Sequence, residues 1–119
     1  MRGVKAACDE LVATLRTAGF TASVDPGELS PLPGVWVSPR QISDYRLDGG
    51  ATLVAWCYLI APNTDIPHAM SLLDDGLAGL LEVVDVAESD RVIDLSSAVS
   101  IEGYSDLLPA YRVAVDLNL

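Results

Sequence analysis

Apolar residues at Val4, Ala7, Cys8, Leu11, Val12, Leu15 and Ala18 recur at the spacing of one helical face, and Gly19 follows where such a helix would stop. A first helix is predicted over residues 4–18. Phe20, Ala22 and Val24 then alternate with Thr21, Ser23 and Asp25 ahead of Pro26-Gly27, the pattern of a short strand closed by a turn. Residues 33–39 carry a proline at each end and read as a short extended piece at a sheet edge or in an isolated bridge, since proline donates no ladder hydrogen bond. Residues 42–47 and 51–60 flank Asp48-Gly49-Gly50, a turn able to take positive φ, and predict a β-hairpin. Its second arm is apolar on both sides. Leu53, Ala55, Cys57 and Leu59 point one way, while Val54, Trp56, Tyr58 and Ile60 point the other.

Ala69, Leu72, Leu73, Gly76, Leu77, Leu80, Leu81 and Val84 form a second helical stripe, with Asp65 or Thr64 able to cap it and Pro67 tolerated in its first turn. Residues 92–101 read as a looser strand. Residues 110–119 alternate cleanly, with Tyr111, Val113, Val115, Leu117 and Leu119 opposed to Arg112, Ala114, Asp116 and Asn118. The predicted order is α-β-β-β-β-α-β-β in a single domain over residues 1–119. The fold class is α+β, a two-layer sandwich with two helices packed on one face of a mostly antiparallel β-sheet. No third helix exists for the other face, yet Val54, Trp56 and Tyr58 need cover. Either the region 26–47 folds back over that face or a neighbouring subunit does so. Trp36, Trp56 and Tyr58 are therefore candidate subunit-contact residues, against the plainer reading of Trp56 as an ordinary core side chain.

Composition sharpens this picture. Half of the 119 residues are hydrophobic and one-fifth are charged, so the signature of disorder is absent. A 12.6 kDa chain buries about two-thirds of its surface on folding, enough for one core. Seventeen acidic residues against seven basic ones give a net charge of −10, which argues against holding nucleic acid through its phosphates. Ten of those carboxylates lie between positions 65 and 106, where Arg91 is the one base. The plain reading is a solvated face that confers solubility; the sharper one is a surface that repels polyanions, with Asp74, Asp75, Asp85 and Glu88 as candidates.

Chemistry is sparse. The sequence has no nucleophile elbow, phosphate-binding loop, zinc motif or triad, and His68 is its one histidine, expected to be solvated in a helix's first turn. Asp74 and Asp75 point about 100° apart on a helix and do not share a site. Asp85, Glu88, Asp90 and Asp94 lack the alternation and the glycine of a calcium loop. Cys8 and Cys57 lie in apolar stretches and read as core residues. No catalytic residue, metal ligand or cofactor is expected. The longest apolar run, residues 51–61, is far shorter than the ~20 residues that span a bilayer, so no membrane helix is expected. Asp9 and Glu10 interrupt any secretory pattern after Arg2 and Lys5, which predicts an intracellular protein at synthesis.

Five segments together resemble the tail terminator proteins of long-tailed, siphovirus-type phages, especially those of actinobacteria. They are a short N-terminal helix ending in Gly19-Phe20, then Pro33-Gly34-Val35-Trp36-Val37, and Thr52-Leu53-Val54-Ala55-Trp56 running into Ala61-Pro62-Asn63. An alanine- and leucine-rich helix from Asp65 and the closing Leu108-Pro109-Ala110-Tyr111-Arg112-Val113-Ala114-Val115 complete the set. These are packing and turn patterns covering nearly the whole chain. The resemblance implies a virion protein at the head–tail junction, assembled in the host cytoplasm, that forms a homo-oligomeric ring, typically a hexamer, on the head-proximal end of the tail tube. Its partners would be other copies of itself, the tail tube protein and a head-completion or connector protein, with DNA passing through unbound. Competing readings are a neighbouring head- or tail-completion connector, an acidic inhibitor of a basic target, and a small-molecule-binding α+β module.

Overall fold

The structure, a computed structural model, describes residues 2–47 and 49–119. The first helix, α1 (Val4–Thr17), buries Ala7, Cys8, Leu11, Val12 and Leu15 along the predicted stripe and ends at Gly19, whose φ of 99° needs a residue without Cβ. A two-residue strand, β1 (Ala22–Ser23), and a 3-10 turn (Pro26–Glu28) lead into β2 (Gly34–Ser43). The strand β3 (Thr52–Ile60) is followed by α2 (Ile66–Val83), β4 (Asp94–Val99) and β5 (Leu108–Asn118). The sheet order is β1-β2-β3-β5-β4, antiparallel except for the short β1–β2 pair. This is the α+β arrangement the sequence predicts.

Both helices pack on one face. Val35, Val37, Leu53, Ala55, Cys57, Leu59, Tyr111, Val113 and Val115 rise from three strands into one core with the stripes of α1 and α2. At Gly76 a Cβ would stand 2.8 Å from Leu59 Cδ2, so the glycine lets α2 lie directly on β3. Cys8 and Cys57 are free and buried in this core. Burial pushes the Cys57 thiol up to about 12 and the Cys8 thiol upward as well.

Two predicted elements merge. The pieces at 33–39 and 42–47 are one strand, β2, which passes through Pro39 because β1 pairs only with Val35 and Trp36 and leaves the rest of β2 as an edge. A bulge between Pro39 and Gln41 absorbs the irregularity. The strand stops at Ser43 rather than Leu47 because Asp44 has a φ of 51°, a left-handed conformation that aspartate tolerates. Of the predicted turn, Asp48 lies outside the described residues, and Gly49 has a φ of 88°.

Asp65 is the residue that caps α2: its carboxylate accepts the His68 N–H at 2.8 Å, with Pro67 in the first turn and His68 exposed. Asp65→Ala leaves that donor without a partner and is expected to cost about 1 kcal/mol, read as a melting temperature lower by roughly 5 °C. An unchanged melting temperature would show that the cap is redundant.

Candidate functional site

The sheet face opposite the helices decides where contacts are available, and it is covered from both ends but not in the middle. At one end Leu29 and Leu32, from the segment before β2, close with Ile101 over Ile60, Val99, Leu108 and Ala110. The region 26–47 therefore does fold back, over one corner only. At the other end Ala87 lies on Val54 and Ala114, held by an Ala87 N–H donated to the Ala114 carbonyl at 2.8 Å, while Val86 bridges to Val115.

Between these covers runs a half-buried strip of Trp36, Tyr58 and Trp56. Trp36 and Tyr58 are direct cross-strand partners and stack with centroids 4.9 Å apart, while Trp56 meets Tyr58 edge-on at 6.0 Å. Trp36 is fixed by its indole N–H, donated to the Val24 carbonyl at 3.1 Å. Two guanidinium groups close on Trp56, Arg40 at 3.9 Å from the ring centroid and Arg112 at 4.1 Å. Cation–π contacts of this kind contribute about 0.5–1 kcal/mol each when exposed. Asp94 Oδ2 lies 3.9 Å from Arg112 Nη2. Hydrogen bonds from the Ser96 backbone and hydroxyl hold the Asp94 carboxyl below its usual range, with Ser97 and Arg112 adding to the effect. The structure thus brings Trp36, Tyr58 and Trp56 together. The arginines were not picked out from the sequence, although Arg112 sits opposite Tyr58 in the β3–β5 register.

The four candidate carboxylates do not form one cluster. The Tyr111 hydroxyl donates to Asp74 Oδ1 at 3.1 Å, and burial followed by that carboxylate pushes the Tyr111 hydroxyl upward. Asp75 is exposed on the same helix. Asp85 and Glu88 lie beyond the C-terminus of α2 in a shallow cleft with Asp116 and Arg91, where the Glu88 N–H donates to Asp116 Oδ2 at 3.2 Å. Asp74 lies in the middle of α2, whereas Asp85 and Glu88 follow the end of that helix at Val83. Among the described residues, no group of three or more His, Cys, Asp or Glu is placed to hold a metal ion, and no helix is long and apolar enough to cross a membrane.

A second surface was not foreseen. An apolar groove of about 510 Å³ opens between the start of α2 and β4, walled by Ile66, Met70, Leu95 and Leu107 and floored by Ala69, Leu73 and Tyr111. Ile66 and Met70 fall outside the main stripe of α2, and their four-residue spacing was the available signal. Comparison with family models, curated proteins and solved structures finds no match.

Proposed function

We propose that this chain is a structural subunit of the tail-terminator kind, which self-associates into a ring on the head-proximal end of a phage tail tube, stops tube growth and offers a docking surface to the head. One observation carries the reading: the open aromatic strip of Trp36, Tyr58 and Trp56 with Arg40 and Arg112. Tryptophan, tyrosine and arginine are the residues that anchor protein interfaces, and here they line the part of a sheet face that the chain's own loops leave uncovered. Catalysis has no comparable support.

In such a ring the acidic balance has a use, because carboxylates facing the channel keep the passing DNA from binding. Asp74, Asp75, Asp85 and Glu88 are the candidates for that wall, and their spread over α2 and the segment that follows it suits an extended acidic lining better than a single site. The alternative of a small-molecule-binding module draws on the apolar groove. Its walls are widely open, however, with Ile66 at 75% exposure and Leu107 at 61%, whereas small-molecule pockets enclose most of their ligand.

The test is a capping assay with the tail tube protein of the same phage. Substoichiometric amounts of this protein are expected to halt tube elongation and to sit at one end of each tube in electron micrographs. Tubes that grow to the same length distribution with and without it would contradict the proposal.

A further inference from the structure

Two groups of exposed apolar side chains lie toward the two ends of β3, in an elongated molecule whose principal extents are 50, 26 and 24 Å. At one end is the tip of the β2–β3 hairpin, where Leu47 is 104% exposed, Tyr45 69% and Ile42 44%. Beside the tip the Arg46 N–H is donated to the Gly50 carbonyl at 2.8 Å and the Gly49 N–H to the Arg46 carbonyl at 3.0 Å. At the other end is the groove, whose walls Ile66, Met70, Leu95 and Leu107 are 51–75% exposed. β3 connects the two regions, running from Thr52 beside the hairpin to Ile60 just before the groove, about 30 Å of strand.

We infer that the hairpin tip of one copy inserts Tyr45 and Leu47 into the α2–β4 groove of the next copy, so that the subunits join head to tail. The inference rests on the ring reading above and names the surfaces that would make it. A protrusion and a recess on opposite ends of one chain form a heterologous contact, the kind that closes into a ring when the rotation per subunit allows. The groove is open rather than enclosed, as a recess that receives side chains from another subunit must be, and has a volume of about 510 Å³.

The area suits too. Taking about 140 Å² for a fully exposed aliphatic side chain and about 180 Å² for tyrosine, the seven side chains present roughly 700 Å² of apolar surface. With all of it buried, and at the usual apolar share of about 57%, the contact would reach roughly 1,200 Å², the lower edge of specific protein interfaces.

Leu47→Asp and Leu107→Asp change exposed residues at the two ends and leave the core untouched. Measured by light scattering where the wild type forms its ring, each variant alone is expected to be monomeric. An equimolar mixture is expected to give a dimer and nothing larger, because the intact hairpin of the Leu107 variant fits the intact groove of the Leu47 variant. Rings of unchanged mass in either variant would overturn the contact and leave the ring reading standing. So would a Leu107 variant that keeps its ring but no longer caps tubes, which would assign the groove to the tube protein. A mixture that stays monomeric also overturns it, and a wild type that is monomeric throughout overturns both the contact and the ring.

Discussion

Leu59→Ala is expected to remove about 3–4 kcal/mol of folding stability, a large part of the 5–15 kcal/mol that holds a domain of this size together. Leu59 is 1% exposed in the middle of the helix-facing core, and its two methyl groups fill the space directly under Gly76 of α2. Gly76→Val makes the opposite error, because a Cβ there already meets Leu59 at 2.8 and 3.0 Å and the valine methyls reach further. Overpacking of this kind costs about 1–3 kcal/mol, more than the better helix propensity returns. The two faults concern one volume. The double variant is therefore expected to be more stable than the sum of the single losses predicts, by roughly 1–2 kcal/mol. Urea denaturation of the four proteins measures this coupling; strictly additive losses would show that α2 moves away from β3 rather than sharing a fixed space with it.

Trp36→Ala and Trp56→Ala are each expected to weaken self-association by about 2 kcal/mol or more, roughly thirty-fold, while the folded subunit persists. Trp56 is the residue that Tyr58, Arg40 and Arg112 all face, so its loss leaves two guanidinium groups without their shared ring. Trp36→Ala also removes the hydrogen bond to the Val24 carbonyl, and Trp36→Phe separates that bond from the stacking on Tyr58. Sedimentation gives the association and thermal unfolding of the subunit gives the fold. If both alanine variants assemble like the wild type, the strip is an internal feature of the sheet and not a contact.

The fold was legible where one periodicity governed a whole element. The stripe of α1, the stripe and Asp65 cap of α2, and the two-faced alternation of β3 all appear in the structure as the sequence implies. Boundaries were lost where a single backbone conformation decides them: the left-handed Asp44 ends β2, and no hydropathy pattern marks it. The site was legible in part. Apolar residues on the second face of β3 announced the strip, but Arg40 reaches Trp56 from beside a bulge and Arg112 reaches it across strands, relations that only the register makes visible. The groove was not legible because Leu95 and Leu107 come from an irregular strand and a loop, and neither belongs to a stripe. Likewise, the four acidic candidates share a net charge in sequence but occupy separate places in space.

Electron microscopy of the purified protein, with its mass in solution, tests the central claim most directly. A closed ring is expected, of one mass, with the aromatic strip at or beside the subunit boundary and carboxylates from the segment between positions 65 and 106 on the channel wall. A protein that remains a single 12.6 kDa subunit at every concentration contradicts the claim outright. A ring whose channel is lined by Arg2, Lys5, Arg40, Arg46 or Arg112, with all those carboxylates outside, would keep the assembly and refute the repulsive conduit.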